Sequence, residues 1–155
     1  MATYTQYWIN LAQDWEMRGQ VLVPPATRYI ALFTVMPTQS TSGTELTTGG
    51  GYTGYARQAV LSNLTNWSGT QSDGSTTASS GTRTYISNNV VITFSASLAA
   101  AWPNIRGFGQ FNALTGGNLL RFGEITDDAG TAITISRNIG DAVSFAAGKL
   151  RLYIT

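Results

Sequence analysis

Apolar and polar residues recur along this chain with two different periods, and the change from one to the other divides it. Tyr4, Tyr7, Trp8, Leu11, Ala12 and Trp15 follow the three- and four-residue spacing of one helix face, so residues 1–19 predict an amphipathic α-helix. Thr3 with Gln6 forms a T-x-x-Q pattern, in which hydroxyl and amide can satisfy free backbone N–H groups at the helix start. Gly19 supplies the stop, because glycine enters the left-handed conformation without a Cβ penalty, and Pro24 and Pro25 bar any continuation.

From residue 28 onward the pattern is that of short strands. Arg28–Val35, Tyr55–Leu61, Asn89–Phe94, Ile105–Phe111, Asn118–Ile125, Thr131–Ile135, Ala142–Phe145 and Leu150–Ile154 are apolar or alternating runs separated by turn residues. Thr115-Gly116-Gly117 between two of them is a hairpin signal. Leu98–Trp102 fits one helical turn, limited by Pro103. Seven to eight short strands predict a mainly β fold, a single sandwich or barrel-like domain carrying the N-terminal helix. The expected organisation is one domain over residues 1–155, with a β domain over 28–155 and exposed loops at 38–54 and 68–84. The second loop is a Ser-, Thr- and Gly-rich excursion with no apolar residue large enough to bury.

Composition narrows the function. Only 11% of residues are charged, well below the roughly 25% usual in soluble domains, against 43% hydrophobic. A surface so neutral and hydroxyl-rich suits a protein packed against others. The net charge is +1, and the nine basic residues are scattered from Arg18 to Arg151 with Lys149 the single lysine. A nucleic-acid binder would gather them on one face, so no nucleic-acid partner is expected. The apolar runs near Leu98–Trp102 and Val143–Ala147 are too short to cross a bilayer, and the first residues do not read as a secretory signal. No membrane partner is expected, and synthesis in the cytoplasm is.

Candidate chemistry is thin. With no His and no Cys, Ser-His-Asp, Cys-His and His-based metal sites are excluded. Of eight carboxylates, Glu124 with Asp127 or Asp128 forms the one tempting cluster, for which an Asp-Asp-Ala-Gly turn is preferred over a cation site or a glycosidase pair. Gly49-Gly50-Gly51 lacks the lysine of a phosphate-binding loop. Gly107-Phe108-Gly109 is read as a point of close backbone approach. No catalytic, cofactor-binding or metal-ligating residue is predicted, and no cofactor. The aromatic residues remain. Tyr7, Trp8 and Trp15 either lie on the domain's own sheet or dock on a neighbouring subunit, where Trp and Tyr are favoured anchors. The same two readings apply to Trp67 and Trp102, while Tyr52, Tyr55 or Trp67 could stack on a sugar.

Several segments, taken together and in order, carry a resemblance. They are Ala2-Thr-Tyr-Thr-Gln-Tyr7, Tyr29-Ile-Ala-Leu-Phe-Thr34, Gly50-Gly-Tyr52, Tyr55-Ala-Arg-Gln-Ala-Val60 and Val91-Ile-Thr-Phe94. Gly107-Phe-Gly-Gln-Phe111, Thr115-Gly-Gly-Asn-Leu-Leu120 and Gly140-Asp-Ala-Val-Ser-Phe-Ala-Ala-Gly148 complete the set. The chain resembles a family of small tailed-phage and prophage virion proteins, often described as tail-fibre-like. Asn112, where an Asp commonly stands, and an apparent insertion over Asp127–Asn138 depart from the pattern. The resemblance implies a β-sandwich-like, non-enzymatic virion component with no catalytic residues to carry over. The short globular chain lacks the heptads or long repeats of a fibre shaft. The expectation is therefore a capsid cement protein on the head surface, a homo-oligomer bridging copies of the major capsid protein; the alternative is a tail-fibre or baseplate component bound to tail proteins, with receptor or carbohydrate binding as a role open to it.

Overall fold

The computed structural model describes residues 2–47 and 54–153, and within them the chain is mainly β. Strand β1 (Ala2–Tyr4) precedes helix α1 (Gln6–Arg18), and β2 (Thr27–Val35), β3 (Thr44–Glu45) and β4 (Gln58–Leu61) follow. The remaining strands are β5 (Tyr85–Ser87), β6 (Ile92–Phe94), β7 (Trp102–Ile105), β8 (Gly107–Phe111), β9 (Leu119–Glu124), β10 (Ile135–Arg137), β11 (Val143–Phe145) and β12 (Arg151–Tyr153). The main antiparallel sheet runs β1-β9-β8-β2-β3, with β4 also on β2, and three two-stranded ribbons pair β7 with β10, β6 with β11 and β5 with β12. No barrel closes among the described residues.

The nine-residue β2 organises the sheet. Its first half (Thr27–Ile30) pairs with β4, its last residues (Phe33, Val35) pair with β3, and Tyr29–Phe33 pair with β8 on the other side. Surrounded by strands, it buries both faces, which explains the unbroken apolar run Tyr29–Phe33. Ile30 and Leu32 enter the main core, between the sheet and the ribbons, with Val60, Ile92, Phe94, Ile105, Phe108 and Leu152. Ala31 and Phe33 join Phe111 on the opposite face. The close approach expected at Gly107–Gly109 is real: a Cβ on Gly109 would stand 2.5 Å from Phe33 Cε2 and 2.7 Å from Leu119 Cδ1. The β8–β9 hairpin turns through Gly116 (φ 60°) and Gly117 (φ 69°), both left-handed, and Asn112 Oδ1 accepts the Asn118 N–H at 2.7 Å to close it.

Three local expectations are corrected. The helix begins at Gln6 rather than at the first residues, because Ala2–Tyr4 pair with Gly123, Phe122 and Arg121 on the edge of the main sheet. Its N-cap is Thr5, whose Oγ1 accepts the Trp8 N–H at 3.4 Å; Thr3 lies in β1, and Gln6 bonds Asn10 instead of capping. Trp102 and Pro103 belong to β7, not to a helical turn, since β10 offers backbone partners. The run read as Thr131–Ile135 contributes one isolated bridge, Ala132 with Thr126, and its strand proper is Ile135–Arg137. The stop at Gly19 stands, left-handed at φ 68°, with its N–H donated to the Asp14 carbonyl. Residues 68–84 carry no helix or strand, and their outer part is exposed. Side chains brace them, with Asp73 pairing with Arg83 at 3.0 Å and accepting from Ser87 at 2.8 Å. Ile154 and Gly49–Gly51 lie outside the described residues.

Candidate functional site

The structure sorts the aromatic candidates by accessibility. Tyr55, Trp67 and Trp102 are core residues, at 7%, 8% and 3% exposure. Tyr55 stacks on Phe94 and meets the edge of Trp102, and Trp67 Nε1 donates to the Leu61 carbonyl at 3.1 Å. These three rings pack within the chain and present no outward face, so the reading of them as surface anchors is corrected to the intramolecular one. Tyr52 lies outside the described residues. Tyr7, Trp8 and Trp15, all on α1, are what remains.

Tyr55 also ends a polar bracket that holds the sheet edge. Its hydroxyl accepts the Leu32 N–H at 3.1 Å and donates to Glu45 at 3.0 Å. Burial, with the neighbouring Glu45 charge adding to it, pushes the phenol well above its ordinary range, although the Leu32 N–H and Arg57 oppose the shift. Arg57 grips Glu45 through Nε and Nη2 at 2.8 and 2.6 Å. Its Nη1 reaches the carbonyls of Ala113 and Gly116 in the β8–β9 turn.

Helix α1 is seated at one end and free at the other. Thr5 donates from its N–H to the Leu120 carbonyl and from Oγ1 to the Leu119 carbonyl, and the Gln6 N–H bonds the Gln39 carbonyl. Trp8 stacks on Tyr4 with 9° between the rings, and is half-buried. No residue of α1 is fully buried; Ile9, Leu11, Ala12 and Asp14 are half-covered, and from Trp15 onward the helix is exposed. Trp15 is 57% exposed, and beyond it Met17, Val21 and Val23 are also exposed. Tyr7 and Trp15 are exposed on one side of the helix with half-buried Leu11 between them, and the exposed Val21 and Val23 follow.

The carboxylates of Asp127 and Asp128 are occupied by structure. Asp127 Oδ1 accepts the N–H groups of Ala129 and Thr131 at 3.0 and 2.8 Å, which is the turn preferred from the sequence. Asp128 pairs with Lys149 at 2.7 Å, and that hydrogen bond and charge hold its carboxyl below the usual range. This is the wrong direction for a general acid at neutral pH. Both residues line a groove with Glu124, Phe108, Phe145 and Arg151. Among the described residues no set of three or more acidic side chains is placed to hold a metal ion, and no helix is long and apolar enough to cross a membrane.

A second polar feature was invisible in the sequence. Register places Tyr4 opposite Arg121, Arg121 opposite Gln110, and Gln110 opposite Ile30, two residues from Arg28. Side chains two apart on a strand share a face, so four strands present Tyr4, Arg121, Gln110 and Arg28 on one side of the sheet. Arg121 lies over the Tyr4 ring at 4.2 Å and Arg28 over the Trp8 ring at 5.6 Å. Burial lowers both guanidinium pKa values, and the Arg121 charge lowers that of Arg28 further. Arg28 and Arg121 stand 93 residues apart in the chain, and no local motif relates them.

The fold is that of a mainly β protein with one N-terminal helix whose far end is exposed. A family model described as podophage GP4 fiber I protein gp80 matches the chain over residues 3–153. The chain belongs to this family of phage fibre proteins, and so is a structural protein of a virion that associates with other virion proteins. No curated protein matches it.

Proposed function

We propose that this chain is a non-enzymatic component of the phage tail fibre or of its attachment, joined to its neighbours through the free end of α1. The observation that carries this reading is the helix that is pinned at Thr5 and Trp8 yet leaves Trp15 57% exposed. A Trp on a rigid element, beside exposed Met17, Val21 and Val23, is the kind of residue that dominates the energy of a protein contact. The family description supports a fibre position over the capsid-cement position expected from the absence of heptads. A globular fibre component needs no shaft of its own if it docks on proteins that have one. The partner surface is apolar, a tail protein or a second copy of this chain. A carbohydrate platform on Tyr55 or Trp67 finds no support, both rings being buried.

Immunogold labelling and copy counting on purified particles test the assignment. The expected result is a handful of copies at the tail, with a Trp15→Ser variant that folds normally but is missing from particles. Hundreds of copies spread over the head would overturn the fibre reading, and wild-type incorporation of the variant would remove α1 from it.

A further inference from the structure

Between the main sheet and the ribbon β5/β12 lies a small cavity of about 160 Å³, lined by Arg28, Ser62, Gln110 and Arg121 and by Trp67, Ile86 and Leu152. Its polar lining is two guanidinium groups, the Gln110 carboxamide and the Ser62 hydroxyl. No carboxylate lines it, although two guanidinium groups do.

The aromatic partners do not satisfy these groups. A cation over a ring uses the flat face of the guanidinium and leaves its N–H bonds pointing outward in the plane. Arg28 Nε finds Ser62 Oγ at 3.1 Å. Arg121 Nη1 is buried and has no hydrogen-bond partner, a costly condition for a charged donor. Gln110, only 3% exposed, lines the same cavity, and its side chain makes no hydrogen bond among the described residues. Two like charges and an unpartnered carboxamide gathered in one cavity lack one thing, an acceptor carrying negative charge.

We propose that Arg28, Gln110 and Arg121 form a binding pocket for a small oxyanion, a carboxylate or a phosphate or sulfate group, which accepts hydrogen bonds from all three side chains. Guanidinium groups suit this role because their planar fork matches two oxygens at once, and charge-assisted bonds of this kind are the strong ones. The anion also cancels the repulsion between the two arginines. The cavity holds an anionic head group and a few attached atoms, either a free inorganic ion or the acidic substituent of a sugar. This goes beyond the docking role of α1, and does not depend on it.

Thermal unfolding of the full chain tests the pocket, with sodium sulfate and sodium glucuronate each titrated at constant ionic strength against chloride. At ten times the dissociation constant the melting temperature should rise by about 3–6 °C with sulfate or glucuronate and not with chloride. Whichever binds more tightly identifies the source, inorganic ion or sugar carboxylate. Arg121→Met should weaken binding at least tenfold while melting no lower than the wild type without anion, since a repulsion is removed. Gln110→Leu provides an independent variant should Arg121→Met fail to fold, and is expected to weaken binding several-fold. A response equal in chloride, or unchanged in both variants, would overturn the proposal. So would binding of an acidic peptide with no response to either small anion.

Discussion

Asn88 offers the sharpest test of how the second layer is held. It is fully buried, and its carboxamide joins three segments. Nδ2 donates to the Val90 and Ala146 carbonyls at 2.8 and 2.9 Å, and Oδ1 accepts the Leu150 N–H at 2.8 Å. Replacing it by Ala leaves the buried Leu150 N–H without an acceptor, which costs about 1–3 kcal/mol, and removes two further bonds worth roughly 0.5–1.5 kcal/mol each. The total is about 2–6 kcal/mol, a large share of a stability that is typically about 5–15 kcal/mol. At this chain length each kcal/mol moves the melting temperature by roughly 2–4 °C, so Asn88→Ala should melt about 4–24 °C lower. Urea unfolding followed by tryptophan fluorescence gives the free energy directly. Asn88→Asp is the control: it keeps the acceptor for Leu150 but sets carboxylate oxygens against two carbonyls, so it should be destabilised at neutral pH and partly recover in acid. A loss below about 1 kcal/mol for Asn88→Ala would refute the reasoning, because water would then be replacing the carboxamide.

Other consequences follow from the same contacts. Gly109→Ala drives a methyl group into Phe33 and Leu119 and should cost about 1–3 kcal/mol in chemical denaturation, with part of the loss recovered in the double variant Gly109→Ala/Phe33→Leu. Arg57→Met leaves Glu45 half-buried without its partner and should cost about 3–5 kcal/mol, whereas adding Glu45→Gln should restore some of it. Tyr55 has a folded pKa above its unfolded value of about 10. Its contribution is therefore fully present below about pH 10 and falls as the pH rises further, as the unfolded chain ionises first. Urea unfolding between pH 8 and 11 should show that alkaline loss in the wild type and a shallower one in Tyr55→Phe. Trp15→Ser, by contrast, should leave stability within about 0.5 kcal/mol, since the ring touches little of its own chain.

Features governed by local chemistry were legible in the sequence. The helix stop at Gly19, the hairpin at Gly116 and Gly117, the Asp127 turn and the apolar run of β2 each depend on residues a few positions apart. Their cause, a left-handed glycine, a short acceptor side chain or a buried period, acts at that range. The features that only tertiary structure decided are those whose partner lies far along the chain. Ala2–Tyr4 carry the helical spacing, yet become a strand because β9 leaves an edge of unpaired backbone beside them. Trp67 and Trp102 have no periodicity to mark them as core, and are buried because the ribbons close over them. The Arg28–Gln110–Arg121 row exists only through the pairing of β2, β8 and β9. Chemical type and local period are written residue by residue, whereas register is set by which strands find one another, and strand pairing joins residues whose sequence neighbours say nothing of each other.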